Sequence, residues 1–146
     1  MSAPIAYFLT WTTYGTWLSG DSRGWVRTGG GVQEPDLILQ ERMRSRMKGE
    51  SVVLDTIQRR TVDEVVRRHC DIRGWTLHAL NVRTNHVHVV VSAGIGPEEV
   101  LAQFKAWASR WLGKPAHQRW TEHGSTRWIN RVEDLEAAIR YTLEQQ

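Results

Sequence analysis

The sequence predicts an α+β protein, a ferredoxin-like antiparallel sheet with helices on one face. Strand-like segments rich in β-branched and aromatic residues alternate irregularly with stretches of helical period. Two of those segments, Trp75 to Val82 and His86 to Ser92, are joined only by Arg83-Thr84-Asn85, short enough for a hairpin. The resulting order is β–α–β–β–α–β–α. Its central hairpin fits a split βαβ arrangement better than a doubly wound parallel sheet.

Each element has a local reason. Ala6 to Trp17 is rich in aromatic and β-branched residues and reads as a strand running into a turn near Gly15. From Ser19 to Ser51 the pattern loosens. Gly29, Gly30 and Gly31 sit together, and Arg42, Arg44, Arg46 and Lys48 follow. This basic insertion of about 19–51 is a long loop, or a loop carrying a short basic helix around Leu37 to Met47. Loops of that length in a compact domain tend to be functional or mobile. Thr61 can cap a helix, with Glu64 in the capping-box position. Val62, Val65, Val66 and His69 keep its stripe until Gly74 ends it. The strands from Trp75 and His86 come next. Gly96-Pro97 then starts a helix with Glu98 and Glu99 in its first turn and an apolar stripe from Val100 to Trp111. A short strand is expected at Thr126 to Asn130. A last helix runs from about Val132, with Leu135, Ile139 and Leu143 as its core stripe.

Length and composition bound the function. The 146 residues are read as one domain, 1–146. A chain that is 40% hydrophobic and 24% charged is ordinary for a globular protein, which argues against disorder. No apolar run approaches the roughly 20 residues of a membrane helix, and no secretory signal is visible at the N-terminus. The single cysteine, Cys70, excludes an internal disulfide and a multi-cysteine zinc site. A cytoplasmic protein is therefore expected. Sixteen arginines against three lysines, with eight tryptophans, incline toward nucleic acid. Arginine grips phosphates in bidentate fashion, and both residue types stack on unpaired bases.

Two motifs carry the chemistry. In Asn85-His86-Val87-His88-Val89-Val90-Val91, strand alternation puts His86 and His88 on one face and Val87, Val89 and Val91 on the other. The valines can bury against helices while the two imidazoles chelate one divalent cation, leaving positions for substrate oxygens. The second motif is Tyr141 with Gln145, four residues apart on the last helix. Tyr141 lies about 160° from both Ile139 and Leu143, so it belongs to another surface: solvent, a partner or a site. Taken together, a cation would neutralise a phosphodiester while the tyrosine oxygen attacks phosphorus, and Gln145 can offer its amide oxygen to the same ion. A neutral phenol is a weak nucleophile, so a nearby cation or base must help remove its proton.

The His-hydrophobic-His strand, the late helix with a lone tyrosine and an amide four residues on, and the element order together resemble the HUH single-strand tyrosine transposases. Within them the likeness is greatest to the REP-associated branch. The resemblance implies that His86 and His88 are metal ligands, Gln145 the third ligand and Tyr141 the nucleophile. It also implies magnesium or manganese, a 5′-phosphotyrosine link and single-stranded DNA substrates with hairpins or palindromic repeats. Homodimers and monomers both occur in such proteins, and action on DNA would place the chain at the nucleoid. Arg83, Arg127 and Arg131 flank the two motifs and are the candidate phosphate contacts, with Arg42, Arg44 and Arg46 behind them. His69, His78, His117 and His123 have no partner at metal spacing and read as surface or packing residues. The rival readings are a DNA-binding protein of the same fold that no longer cleaves, another HUH nuclease such as a replication initiator or relaxase, and a structural or RNA-binding module.

Overall fold

The computed structural model describes residues 4–15, 25–26, 32–33, 52–113 and 119–144. The Leu37 to Met47 segment with Arg42, Arg44 and Arg46, and also His117 and Gln145, lie outside the described residues. Among the described residues, six strands and three helices follow in the order β1 (Ala6–Thr12), β2 (Trp25–Val26), β3 (Val32–Gln33), α1 (Thr56–Arg73), β4 (Thr76–Val82), β5 (His86–Ser92), α2 (Pro97–Leu112), β6 (Ser125–Ile129) and α3 (Val132–Glu144). The sheet order is β4-β5-β1-β6, with every pairing antiparallel; β2 and β3 pair only with each other. This is the ferredoxin-like α+β arrangement, with two crossover helices and a further helix at the end.

One expectation is corrected: the helices are not all on one face. Tyr7, Leu9 and Trp11 of β1 and Val87, Val89 and Val91 of β5 pack with Val62, Val66 and Cys70 of α1 and Val100, Leu101 and Phe104 of α2. The opposite face carries Ala6, Phe8, Ala79, Val90 and Ile129, and there α3 settles through Leu135, Ala138 and Ile139. The physical cause is visible in β5. Val89, Val90 and Val91 are all fully buried, as in any strand covered on both sides. A face holding Val90 and Phe8 could not be left to water.

Local chemistry explains the bounds. α1 starts earlier than the Thr61 signal suggests, because Asp55 is its N-cap and Gln58 closes a reciprocal capping box with it. Thr61 lies inside the helix, where its hydroxyl donates back to the carbonyl of Ile57. Gly74 ends α1 in the left-handed conformation, at φ 73°. The loose alternation of β4 is a bulge, since its register against β5 slips between Leu77 and Ala79. Cys70 is buried, which pushes its thiol up to about 11 and leaves it a packing residue. Among the tryptophans, Trp11 and Trp120 are core and Trp75 packs against it, whereas Trp107, Trp111 and Trp128 are exposed.

Two substitutions test this packing. A Cβ at Gly124 would stand 2.7 Å from the Thr10 carbonyl oxygen and 2.9 Å from Leu101 Cδ2. The carbonyl belongs to a central strand and cannot retreat cheaply, so Gly124→Ala is expected to destabilise by about 1–3 kcal/mol. An unchanged melting temperature would show that the β6 approach is looser than described. Thr142 is fully buried, and its hydroxyl has no partner among the described residues. Replacing an unsatisfied polar group by an apolar one of the same shape is neutral or stabilising. Thermal denaturation of Thr142→Val should therefore show an equal or higher midpoint, and a clear fall would reveal a hidden partner.

Candidate functional site

The site lies on the α3 face of the sheet, toward the β4–β5 hairpin. His86 and His88 do share one strand face, with ring centroids 4.8 Å apart. Each ring is held through Nδ1 by a side-chain oxygen. His86 Nδ1–H donates to Asn85 Oδ1 at 2.8 Å, an oxygen that can only accept, so the ring lone pair resides on Nε2. His88 Nδ1 lies 2.8 Å from Thr10 Oγ1, which reaches across from the residue directly opposite on β1. A histidine that presents one nitrogen to a ligand commonly has the other fixed in this way.

Burial separates the two rings. His88 is only 7% exposed, while His86 is half-buried. Desolvation, and then the neighbouring His86, pull the His88 pKa down to about 4. Its imidazole therefore stays neutral at ordinary pH, as a metal ligand or a hydrogen-bond acceptor must. Among the described residues no third histidine, cysteine or carboxylate joins the pair.

Tyr141 comes to this site from α3. Its ring lies 5.7 Å from that of His88 and 5.8 Å from that of Phe8, and Phe8 is itself 5.7 Å from His88. The three rings form one aromatic cluster, with Tyr141 still about half exposed. The expected stripe of α3 needs correcting, because Leu143 is 62% exposed. The residues turned to the sheet are Leu135, Ala138, Ile139 and Thr142. This rolls the helix so that Tyr141 lies on the border of the buried face rather than opposite it. Of the three surfaces left open by the sequence, the tyrosine is at the histidine site.

The arginines divide by position. Arg127 of β6 pairs directly with Phe8, so it belongs to the same sheet face as the aromatic cluster, and it is exposed. The backbone N–H of Arg83 donates to the His86 carbonyl at 2.8 Å, bringing Arg83 to the histidine end of the hairpin. Arg131 precedes α3, ten positions before Tyr141, and makes a 3.5 Å pair with Glu133 while both side chains remain well exposed. The fold thus gathers His86, His88 and Tyr141 with Arg83 and Arg127 on their side of the sheet. It leaves Arg131 at the far end of α3. His69 and His78 take hydrogen bonds elsewhere, to Gln103 and Ser92.

Phe8, Thr10 and Asn81 are site residues that motif reading did not single out. Phe8 and Thr10 sit two apart on β1, so a shared face was legible. Their match to the histidines needs the β1–β5 register. Asn81 is opposite His88 on β4, and its Nδ2–H donates to the Thr142 carbonyl at 3.0 Å.

Comparisons with known proteins bear on the family and the fold. The sequence pattern of the family described as Transposase IS200 like matches residues 43–132. Among solved structures, that of a REP-associated tyrosine transposase bound to a REP hairpin aligns with a TM-score of 0.57 at 12% identity. It covers 97% of this chain, and this chain spans only 66% of that one. A candidate transposase from Deinococcus radiodurans aligns with a TM-score of 0.54 at 15% identity, covering 99% of this chain and 92% of the other. At such identities the likeness is one of fold. No curated protein matches the sequence. The family match spans more than half of the 146 residues, and the chain belongs to the IS200-like transposase family.

Proposed function

We propose that the chain is a metal-dependent endonuclease and strand transferase of single-stranded DNA, acting through a covalent 5′-phosphotyrosine on hairpin-forming repeats. The observation that carries the reading is the packing of the Tyr141 ring against His88, whose partner His86 stands beside it. A tyrosine kept half exposed beside the neutral imidazole of His88, with His86 next to it, supports a substrate that spans both.

In this reading Tyr141 Oη attacks the phosphorus, the P–O3′ bond breaks, and the phenolic proton passes to solvent or a basic group as the 3′-hydroxyl leaves. Rejoining reverses the same steps with a different 3′-hydroxyl, which gives strand transfer. Two imidazoles on one strand face can hold a divalent cation whose other positions go to oxygens. Magnesium or manganese, the ions the family resemblance implies, would be held by His86 and His88 with Gln145 as third ligand, and would neutralise the phosphate and ease departure of the leaving oxygen. Asn85 and Thr10 orient the two rings. Arg83 and Arg127 take phosphates on either side of the cut, which positions a strand without reading its sequence. The hairpin substrate is supported by the DNA carried in the REP-associated transposase of like fold. Arg42, Arg44 and Arg46 are proposed as further phosphate contacts, and Arg131 as one at the outer end of α3.

A covalent-trapping assay tests the proposal. The protein is incubated with a labelled single-stranded hairpin and manganese, with and without chelator, and run under denaturing conditions. A shifted band is expected that disappears with chelator and in Tyr141→Phe, while Tyr141→Phe still binds the hairpin within about twofold, since only a hydroxyl is removed. Tight binding with no adduct would favour the DNA-binding protein that no longer cleaves.

The two histidines should separate in stability. His86→Ala is expected to abolish adduct formation yet cost no more than about 0.5 kcal/mol, as for a partly exposed side chain. His88→Ala should cost about 1–3 kcal/mol, because it empties a buried position and strands the Thr10 hydroxyl. Equal losses in the two would contradict the burial difference.

A further inference from the structure

Asn81 stands where β4 meets both halves of the site. It pairs directly with His88, so the two side chains share a sheet face. Its Nδ2–H donates to the carbonyl of Thr142, the residue after Tyr141. That carbonyl is among the last four of α3, the groups that a helix leaves without an internal partner. One amide therefore ties the end of the tyrosine helix to the cross-strand neighbour of the histidine.

The tie matters because it is directional, whereas the apolar contacts that seat α3 through Leu135, Ala138 and Ile139 fix its roll less sharply. The buried residues of α3 are Ala138, which offers a single methyl, and Thr142, whose hydroxyl is unpartnered among the described residues. Leu143, the large apolar residue of the last turn, faces solvent. Leu135 and Ile139 seat the helix and the Tyr141 ring packs on Phe8 and His88, while the hydrogen bond from Asn81 adds a directional constraint near its end.

We propose that Asn81 is a positioning residue for the reaction, holding the roll and height of α3 so that the Tyr141 hydroxyl stays beside the histidine pair. This rests on the reading of Tyr141 as the nucleophile. Among the described residues, Asn81 acts through the helix backbone, by its hydrogen bond to the Thr142 carbonyl. Its effect is on the fraction of molecules whose nucleophile is aligned, and misplacement of a reacting group by about 1 Å can cost on the order of a hundredfold in rate.

The test uses the full chain as wild type, Asn81→Leu, which keeps the volume and removes the donor, and Asn81→Gln, which keeps the amide. Adduct formation is followed in single turnover at saturating hairpin and manganese, beside hairpin affinity and amide hydrogen exchange. Asn81→Leu is expected to slow adduct formation by on the order of tenfold or more at unchanged hairpin affinity. Exchange should quicken in the last turns of α3 and not in α1 or α2, and Asn81→Gln should recover part of the rate. A purely structural role would lower the melting temperature without splitting rate from affinity. Wild-type rate and α3 exchange in Asn81→Leu would overturn the proposal while leaving the nuclease reading standing. No adduct in the wild type would overturn that reading and the catalytic role of Asn81 with it, and the exchange data would still decide whether Asn81 holds the helix.

Discussion

The pairing of β1 with β5 is the constraint on which the rest of the molecule depends. Both strands are central, and both are buried on their two faces. Tyr7, Leu9 and Trp11 interleave with the odd-numbered valines of β5 on the α1–α2 side. Ala6, Phe8 and Thr10 meet Val90 and His88 on the other. A slip of one residue would turn every one of these side chains to the wrong face. The large apolar set on one side thus specifies the register on behalf of the polar set on the other. Thr10 finds His88 because Leu9 and Val89 cannot be anywhere else.

The two faces do different work with different materials. The α1–α2 side is thick, with Phe104 stacked on Trp11 and Trp120 edge-on to the same indole. The α3 side is thin and lined in part by alanines, which bring the helix backbone close to the sheet. Most of the large buried side chains are in the first layer, and the candidate site is in the second. A rigid sheet backed by a full core is the sort of support that holds functional side chains within narrow tolerances. The α3 layer can then carry an exposed tyrosine and a buried imidazole without endangering the fold.

Much of this was legible in the sequence, and the misses share a cause. The β4–β5 hairpin, the start of α2 at Pro97 and the start of α3 at Val132 follow from local signals: a short polar link, a proline in the first turn, and periodicity. The start of α1 was misplaced because Asp55 with Gln58 and Thr61 with Glu64 both resemble capping boxes, and only the structure shows that the Thr61 hydroxyl is used within the helix. The seat of α3 was misread because Leu143 is more hydrophobic than Ala138 or Thr142. Hydrophobicity ranks side chains by what burial gains, whereas a helix lying close on a sheet is seated by side chains small enough to permit it. His86, His88 and Tyr141 were readable as motifs. Their companions Thr10 and Phe8 were not, since Thr10 is 78 residues from His88 and only strand register brings them together.

The contact between Tyr141 and His88 also couples two properties that look separate. His88 is kept neutral first by desolvation, and the groups that cover it include Phe8, Thr10 and the Tyr141 ring itself. The helix that delivers the hydroxyl is therefore part of the lid that dries the imidazole. If α3 lifts, the tyrosine leaves and His88 gains water in the same motion, so its neutral form loses the environment that favours it. The position of the tyrosine and the burial of the imidazole thus depend on one another. The strand is fixed by its register and the helix is tied to it through Asn81 and Thr142, so the burial of His88 depends on the seat of α3.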